Sequence, residues 1–411
     1  MRNVIDILTT PGYVSLIEGP PGIGKTYLAL KACSVKDKCT YISYADPESS
    51  LREKMKFVSP DYKGKLKFIN AMSGSVETVY SEILKALSEG QLVVVDTLDA
   101  MFFGLKDESS IRPFLQLLYG SVKGKDASMI MIAEGLNPAA EHVKFVSDAI
   151  ISLSFESVLG QNARAARIIK DRDHPIEQPL YYITLKDQLK ILEPMLLLER
   201  PSFGKFSLLS RPAEAGSEAI KMLGNRVLIE LDMSVEDIRA SLLKKIFIAE
   251  YAMSGFYINY MLGPNESKDC FLHDMEALLG STEKINLTTF RAKDFGYKAE
   301  NVKFPAEFDK RNSVNFVNLL AEEDFAIKDP IEYEIYVREQ LKKDIELDRI
   351  TVIFGYTGQE ALRIQLKYAN VVRKMAVTDG FLFWRSIKPL GPLFIVDIKP
   401  EKGFAEFIRV V

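Results

Sequence analysis

The chain has 411 residues, a length that predicts two domains, or three at most. Hydrophobic residues account for 47% and charged residues for 27% of the sequence, the composition of an ordinary globular protein in water. The formal net charge of -3 gives no general reason to expect a nucleic-acid partner, although a local basic groove is compatible with it. No apolar run approaches the roughly 18 residues of a membrane span, so we expect no membrane association.

The cysteines are few, and Cys33, Cys39 and Cys270 form no C-x-x-C pair. Their small and odd number predicts neither a disulfide framework nor a zinc site. The N-terminus also lacks the layout of a signal peptide. Together these features predict a protein of the reducing cytoplasm.

A glycine-rich loop follows the first predicted strand, after a short helix and turn over residues 1–12. The strand covers Tyr13–Glu18, and the loop fits the pattern G-x-x-x-x-G-K-[ST] in full before a helix opens at Tyr27. Backbone N–H groups of such a loop converge on phosphate oxygens, and the helix N-terminus adds its positive dipole end. Lys25 is expected to reach the β- and γ-phosphates of ATP, and the Thr26 hydroxyl to help hold Mg²⁺.

The predicted nucleotide-binding residues are Gly19, Pro20, Pro21, Gly22, Ile23, Gly24, Lys25, Thr26 and Tyr27. The alternative is a Gly/Pro-rich turn with an accidental Lys-Thr, but its strand and helix flanks favour the phosphate loop.

Strands and helices then alternate. Predicted strands cover Cys39–Tyr44 and Leu66–Asn70, and predicted helices cover Ser49–Val58 and Glu77–Leu87. Pro47 breaks the pattern just after the second strand. This alternation indicates an α/β fold with a mostly parallel sheet.

An unbroken apolar run, Leu92–Val95, ends in a carboxylate at Asp96. Such runs suit buried parallel strands, and ligands bind at the carboxyl ends of these strands. Asp96 is therefore a candidate to hold Mg²⁺ together with Thr26, although a capping Asp after a core strand is the plainer interpretation. Ser128–Glu134 is another buried strand ending in a carboxylate, which is expected to lie next to Asp96.

Three more predicted strands follow in close succession. They cover Ala149–Leu153, Ala166–Ile169 and Leu180–Thr184. Their short spacing predicts an antiparallel edge that completes the sheet.

The order of these motifs resembles the RecA-superfamily ATPases, and within them the KaiC-like branch and the archaeal gas-vesicle regulator group GvpD. The resemblance covers about residues 12–190. Its more specific stretches are Ser147-Asp148-Ala149-Ile150 and the Lys-x-Arg pair of Lys170 and Arg172. It implies a Mg-ATP-hydrolysing domain with a RecA-like sheet.

The resemblance also implies roles for charged residues outside the loop. The family places a carboxylate that polarises the attacking water after the second strand, where this chain has Asp46, with Glu48 as the fallback. The family usually has Glu there, so the shorter Asp makes the hydrolysis rate uncertain. Lys170 and Arg172 match cations that reach across a subunit interface to the γ-phosphate. That role implies either a homo-oligomer, such as a dimer or a hexameric ring, or an equivalent pair of domains. The plainer alternative is that Lys170 and Arg172 are a solvated pair on an edge strand.

The second half of the chain is predicted to repeat the first. Val14 is matched with Val227, Val93 with Asn315 and Asp148 with Asp379, with an offset that drifts slowly. Lys399 is interpreted as the counterpart of Arg172 in this alignment. The alternative is an unrelated α/β domain with a similar alternation of elements.

The chemistry of the first half is missing from this repeat. The segment Leu231–Arg239 stands where the phosphate loop should be, without glycine or a Lys-Ser/Thr pair. The predicted strand Asn315–Asn318, at the position of Leu92–Asp96, offers an amide rather than a carboxylate. We therefore predict a RecA/KaiC-like ATP-binding domain over 1–198, a linker over 199–222, and a degenerate RecA-like domain without a phosphate loop over 223–411.

Three functions are compatible with this sequence. The leading hypothesis is a KaiC-like ATPase that works as a regulator or switch, with a protein partner for the degenerate half. A DNA recombination or repair ATPase is the second, but the loops Met101–Arg112 and Gly135–Lys144 lack the basic funnel that DNA needs. The third is a nucleotide sensor that binds ATP with negligible turnover.

Overall fold

The computed structural model describes residues 2–72, 76–103, 111–123, 125–134, 138–194, 226–234, 237–303, 306, 313–399 and 404–411. The chain divides into two units, Met1–Glu193 with Val410 and Pro194–Arg409 with Val411. The predicted linker, 199–222, lies outside the described residues, so the predicted domain limits stay a prediction. Within the described ranges, no helix combines the length and apolar character needed to cross a bilayer.

The first unit is built on one sheet of nine strands in the spatial order β3-β2-β4-β5-β1-β6-β7-β8-β9. The strands are β1 Val14–Glu18, β2 Lys38–Ser43, β3 Lys65–Asn70, β4 Leu92–Asp96, β5 Ser128–Ala133, β6 Ala149–Val158, β7 Gln161–Asp171, β8 Leu180–Thr184 and β9 Lys190–Leu192. The strands from β3 to β6 run parallel, and the last three pair antiparallel, as the sequence predicts. The parallel strands therefore all end at one side of the unit, which we call the carboxyl edge, and begin at the opposite amino edge.

Helices cover both faces of this sheet. They are α1 Val4–Leu8, α2 Lys25–Ser34, α3 Glu48–Val58, α4 Val76–Ser88, α5 Leu98–Phe103, α6 Ile111–Val122 and α7 Pro138–Val146. Successive side chains of a strand point to opposite faces, so β4 contributes Val94 to one core and Val93 and Val95 to the other. All five residues of β4 are buried, which explains its continuous apolar sequence.

The second unit repeats this sheet strand for strand, in the order β12-β11-β13-β14-β10-β15-β16-β17-β18. The strands are β10 Arg226–Asp232, β11 Tyr257–Leu262, β12 Ile285–Thr289, β13 Ser313–Asn318, β14 Ile350–Tyr356, β15 Val371–Thr378, β16 Phe381–Lys388, β17 Leu393–Lys399 and β18 Phe404–Arg409. The parallel and antiparallel pairings also match those of the first unit. The predicted fold class, two α/β domains with mostly parallel sheets, is thus confirmed.

The helices of the second unit likewise pack on both faces of its sheet. They are α8 Ile238–Met253, α9 Lys268–Leu279, α10 Glu323–Lys328, α11 Pro330–Glu346 and α12 Glu360–Gln365, with short 3₁₀ turns at Ala292–Phe295 and Ala299–Asn301. Helix α8 is buried nearly all round, since it packs into the larger of the two cores of this unit. The other core lies under α10, α11 and α12.

The repeat extends to details of register. The carboxylate of Asp148 accepts a hydrogen bond of 3.0 Å from the backbone N–H of Val14 at the start of β1, and Asn370 accepts one of 3.2 Å from Arg226 at the start of β10. A β-bulge follows the residue that pairs with Lys170 on β6, and another follows the residue that pairs with Lys388 on β15. Asn370 and Lys388 are therefore the structural counterparts of Asp148 and Lys170.

Two pairings predicted from the sequence are wrong. Asp379 lies in the turn between β15 and β16, with a φ of +49°, and does not take the position of Asp148 before β6. Lys399 ends β17, which takes the place of β8, so it is not the counterpart of Arg172. Two residues beyond Lys388, the position of Arg172 is occupied by the exposed Leu390.

The expectation for the cysteines is also corrected. Cys33 at the end of α2 and Cys39 in β2 form a disulfide, and their Cα atoms lie 5.5 Å apart. That distance is ordinary for a disulfide. The sequence spacing alone does not show that the turn after α2 brings these two residues together.

Candidate functional site

The glycine-rich loop connects β1 to α2 at the carboxyl edge of the first sheet. Gly19 has a φ of +149°, and a Cβ atom there would lie 2.5 Å from the carbonyl oxygen of Leu153. Gly24 caps α2 with a φ of +113°. Both positions favour glycine, so backbone geometry alone accounts for the glycines at positions 19 and 24 of the motif.

Lys25 points back into this loop. Its Nζ donates hydrogen bonds to the carbonyl oxygens of Gly19 at 2.7 Å and Pro20 at 3.0 Å. Burial lowers the pKa of Lys25, while the nearby carboxylates of Glu134, Asp96 and Asp99 act in the opposite direction. The ammonium is thus held beside the loop backbone, where an anion bound to the loop N–H groups would meet it.

Thr26 and Asp96 meet as predicted at the carboxyl edge. The Thr26 hydroxyl donates to Asp96 Oδ2 at 2.8 Å, and the Tyr41 hydroxyl donates to the same oxygen at 2.6 Å. Burial raises the pKa of Asp96, and these two hydrogen bonds partly oppose that rise. Hydroxyl and carboxylate oxygens are the ligands that Mg²⁺ prefers, so Thr26 and Asp96 fit the predicted role.

The Tyr41 hydroxyl is the feature of this site that sequence reasoning missed. Tyr41 occupies the middle of β2 and is fully buried, so its sequence context indicates only a strand residue of the core. The pKa of Tyr41 lies well above its ordinary value because of burial and the neighbouring Asp96, so it stays a donor. In the pairing of β2 with β4, Tyr41 lies opposite Val94, two residues before Asp96. Knowledge of this pairing would have been enough to predict the hydrogen bond between Tyr41 and Asp96.

We expect Tyr41→Phe to lower the free energy of unfolding by about 2 kcal/mol, the usual value of a hydrogen bond to a charged group. Loss of this donor raises the pKa of the Asp96 carboxyl further above its ordinary value of 3.8. A raised carboxyl pKa costs stability above the unfolded pKa, so the loss should be largest at neutral pH and fall, below about pH 3.8, to the smaller contribution of a hydrogen bond to a neutral carboxyl. Urea unfolding followed by circular dichroism at several pH values measures this.

Tyr44→Phe is the matched control for that experiment. The Tyr44 hydroxyl is buried near the end of the same strand but has no hydrogen-bond partner among the described residues. Its removal should change the free energy of unfolding by less than about 0.5 kcal/mol. Equal losses in the two variants would contradict the importance of the Tyr41–Asp96 hydrogen bond.

The candidate water-polarising residues follow β2. Asp46 accepts a hydrogen bond of 2.6 Å from Lys54 Nζ, with which it forms an ion pair, and a longer one from Ser50. Glu48 begins α3 and pairs with Arg52 in solvent. Asp46 is near enough to Asp96 to raise the pKa of that carboxyl, so Asp46 rather than Glu48 belongs to the same charged site.

Tyr27 and Glu134 occupy the periphery of the site. The Tyr27 ring packs edge-on against Phe57 of α3, with ring centroids 5.6 Å apart. Glu134 follows β5, and its backbone N–H donates to Asp99 at 2.9 Å. Asp99 therefore ties the end of β5 to α5, and both carboxylates contribute to the negative potential around Lys25.

Lys170 and Arg172 lie at the amino edge, where β7 ends beside the start of β6. Arg172 forms an ion pair of 3.0 Å with the buried carboxylate of Asp148, and Lys170 donates to the carbonyl oxygen of Lys144 at 3.3 Å. The length of β1 alone separates this edge from the glycine-rich loop by roughly 13 Å, at about 3.3 Å per residue. The structure therefore does not bring these cations to the loop of their own unit.

The corresponding edge of the second unit is filled by its own side chains. Glu266 follows β11 and accepts hydrogen bonds from Lys244 at 2.8 Å, from Tyr260 at 2.6 Å and from the backbone N–H of Gly263 at 2.7 Å. Asn318 ends β13, in the position of Asp96, and donates to the same carboxylate at 3.1 Å. An internal ion pair thus stands where the first unit has its Thr26–Asp96 contact.

The N-terminus of α8 is also unsuited to phosphate. Its capping residue, Asp237, accepts the backbone N–H of Arg239 at 2.9 Å. The Asp237 carboxylate thus occupies the helix N-terminus, the position at which a phosphate would bind to α2. It accepts a backbone N–H there, and its charge already interacts with the positive end of the helix dipole. These contacts agree with the predicted loss of nucleotide-binding chemistry from the second half.

The two loops that would contact DNA in a recombination ATPase lie partly outside the described residues, at 104–110 and 135–137. The described part of the second loop pairs Lys144 with Glu18 and Glu141 at 3.1 Å each. The charge of Lys144 is thus neutralised by neighbouring carboxylates, so the described part of this loop gives no support for DNA binding.

We compared the sequence with family models and with curated proteins. No curated protein matches the chain. Residues 9–194, less than half of the chain, match the family model described as "ATPase: KaiC". The matched segment contains the glycine-rich loop, Thr26 and Asp96, and the whole nine-stranded sheet. Residues 9–194 are thus similar to the KaiC ATPase domain, and the sheet order and the glycine-rich loop of the first unit agree with that similarity.

Proposed function

We propose that the chain binds Mg-ATP at the carboxyl edge of its first unit and hydrolyses it slowly, as a regulatory switch. The observation that carries this proposal is the contact of Thr26 with Asp96 at 2.8 Å, beside a loop that holds Lys25. Lys25 would contact the β- and γ-phosphates, and Thr26 and Asp96 would hold Mg²⁺. The metal would neutralise phosphate charge, and the loop residues would orient the nucleotide.

We further propose that turnover is completed by cations from a neighbouring copy of the chain. Lys170 and Arg172 lie at the amino edge of their own sheet, opposite the edge that carries the loop. A nucleotide that they contact would therefore be bound to another copy of the chain. Burial and the neighbouring Arg172 lower the pKa of Lys170, so an incoming anion would stabilise its charged form. A site assembled from two copies couples hydrolysis to assembly, as a switch requires.

Mixing two inactive variants tests this arrangement. Lys25→Ala lacks the phosphate contact, and Arg172→Ala lacks the trans-acting cation, so each alone should lose at least about a hundredfold in ATP turnover. When both are mixed, the intact loop of one chain meets the intact Arg172 of another, and part of the turnover should return. The measurement is phosphate release from Mg-ATP over a range of protein concentrations.

Two results would count against the trans arrangement. Full activity of Arg172→Ala would show that this residue does not act on ATP at all. Two inactive variants that stay inactive when mixed, although both are folded and exchange subunits, would place the missing cation elsewhere. Lys123→Ala is a matched control, since Lys123 pairs with the same Asp148 at 2.9 Å.

The second candidate function is a sensor that binds ATP without appreciable turnover. The ion pair of Asp46 with Lys54 favours it, because the ammonium occupies a carboxylate oxygen that an attacking water would need. Lys54→Met should then raise turnover severalfold if Asp46 is the base. ATP binding with no hydrolysis in either protein would support the sensor.

A further inference from the structure

Lysines are concentrated at one corner of the first unit, where β2 and β3 begin at the amino edge. Helices α2 and α3 end at this edge, and a short connection joins each helix to the strand that follows it. The segments 31–38 and 55–65 run from the last turn of each helix to the first residue of that strand, and they contain six lysines and two aspartates. We call the six lysines the lysine corner: Lys31, Lys36, Lys38, Lys56, Lys63 and Lys65. Lys31 and Lys36 are half-buried, and the other four are exposed.

Carboxylates do not neutralise the lysine corner. Within the part of the chain that the structure describes, none of its ammonium groups forms an ion pair, whereas the nearby Lys54 and Lys67 each do. Lys38 and Lys65 are register partners on β2 and β3, so their side chains leave the same face of the sheet. Adjacent strands lie about 4.8 Å apart, and like charges placed opposite each other on them repel. An anion from outside the chain would relieve this repulsion.

Local structure accounts for only part of the lysine corner. Lys31 and Lys56 lie in the last turns of α2 and α3, where the helix dipole favours a positive charge. Lys65 begins β3, the edge strand of the sheet, and lysine on an edge strand protects it from pairing with another chain. The lysines of the connections have no such role.

The second unit shows that this sheet does not require the lysines, because it has the same strand order without them. Its corresponding segments, 250–257 and 276–285, contain one lysine and three glutamates. Strand β11 begins with Tyr257, where β2 begins with Lys38. The edge strand β12 has the sequence INLTT, which contains no lysine. The lysine corner is therefore a property of the first unit alone, and neither the fold nor edge protection explains it.

The other side chains of this corner indicate the chemistry of its partner. Val35 is the one exposed large apolar side chain in the two described segments, so the surface lacks the apolar anchors that a protein partner or a lipid layer would bury. The rings of Phe57 and Tyr62 are half-buried, so no fully exposed ring is present for stacking with an unpaired base. Contacts between lysine and phosphate need neither feature, and they supply the sequence-independent affinity of proteins for duplex DNA.

We propose that the lysine corner binds the phosphate backbone of a double-stranded nucleic acid without reading its base sequence. This surface lies at the opposite edge of the sheet from the glycine-rich loop. Five strand spacings, roughly 24 Å, separate β2 from the strand that carries Lys170 and Arg172. The surface is thus independent of the proposed ATPase activity, and its test needs no nucleotide.

Fluorescence anisotropy of a labelled DNA duplex of random sequence, titrated with the full chain, tests the proposal. We expect saturable binding at about 50 mM salt that weakens steeply towards about 200 mM. A plot of the logarithm of the binding constant against that of the salt concentration should have a slope of about −3 to −4, since each neutralised phosphate contributes about −0.9. The corner variant replaces four lysines by glutamine, at Lys36, Lys38, Lys63 and Lys65. It should weaken binding at about 50 mM salt by at least about tenfold and reduce the slope to about −1.

The matched control replaces four exposed lysines of the second unit by glutamine, at Lys268, Lys284, Lys293 and Lys328. It changes the net charge by the same amount and should leave duplex binding within about twofold of the original. Thermal unfolding of both variants checks their folding. If the corner variant does not fold, the double variant Lys38→Gln with Lys65→Gln should still make the slope less steep by about 2.

Three results would overturn the proposal. The first is no duplex binding at about 50 mM salt, and the second is an equal loss of binding in the corner variant and the matched control. The third is binding to vesicles of phosphatidylcholine and phosphatidylserine, or to polyglutamate, with none to the duplex, since the partner would then be a membrane or an acidic protein.

Discussion

Replacing Lys25 by alanine is expected to abolish ATP turnover, with a loss of about a thousandfold or more. The ammonium of Lys25 is preorganised by the carbonyl oxygens of Gly19 and Pro20, so it needs little movement to meet a phosphate. Without it, the phosphates would lose the ammonium that offsets the nearby carboxylates of Asp96, Asp99 and Glu134. Phosphate release from Mg-ATP measures turnover, and fluorescent-ATP titration measures binding.

Lys31→Ala is the matched control, since Lys31 lies in the last turn of the same helix, away from the loop. It removes one positive charge from α2 and should change neither binding nor turnover by more than about twofold. Unchanged thermal unfolding of both variants would exclude a folding defect. Turnover that survives in Lys25→Ala would contradict the assignment of the loop as the nucleotide site.

Much of the first unit could be predicted from its sequence because its central strands are continuous apolar runs. Leu92–Asp96 shows this most clearly, since burial on both faces leaves no room for polar residues before the final carboxylate. The loop was equally predictable, because Gly19 and Gly24 hold backbone conformations that other residues avoid. Local sequence thus determined both the strand and the loop that place Thr26 next to Asp96.

Contacts between distant residues were harder to predict. The hydrogen bond from Tyr41 to Asp96 depends on the pairing of β2 with β4, and nothing local in either strand specifies it. The counterparts of Lys170 and Arg172 were misplaced because loops of different length shifted the alignment by one strand. Strand order and the shared β-bulge, rather than residue similarity, identify Lys388 as the counterpart.

The largest effect on stability is expected in the second unit, from breaking the ion pair of Lys244 with Glu266. Their side chains are 6% and 19% exposed, so neither charge is well solvated. Lys244→Met keeps the length of the side chain but leaves Glu266 with only neutral donors. We expect a loss of about 3 kcal/mol in the free energy of unfolding, as for other buried pairs. Trp384, the single tryptophan, is buried in this unit, so its fluorescence during urea unfolding reports the transition.

A double-mutant cycle separates the pair from its surroundings. Glu266→Gln alone leaves the Lys244 charge without its partner, whereas the double variant, Lys244→Met with Glu266→Gln, leaves neither charge of the pair. The double variant should therefore lose about 2 kcal/mol less than the sum of the two single losses. Lys342→Met is the control, because its pair with Glu339 is 66% and 55% exposed and should contribute less than about 1 kcal/mol. Additive losses in the cycle would contradict a coupled buried pair.

The pH dependence provides an independent check of the same pair. Burial pushes the pKa of Glu266 up, but Lys244 and the hydrogen bonds from Lys244, Tyr260 and Gly263 outweigh it, so the pKa lies below its ordinary value of 4.5. A lowered carboxyl pKa stabilises the fold above the unfolded pKa, and this stability is lost as the pH falls through the folded pKa. The difference between the original protein and Lys244→Met should therefore be full at neutral pH and shrink below about pH 4.5. A difference that stays constant on acidification would mean that Lys244 contributes through packing rather than charge, and that this edge of the second unit does not depend on the ion pair.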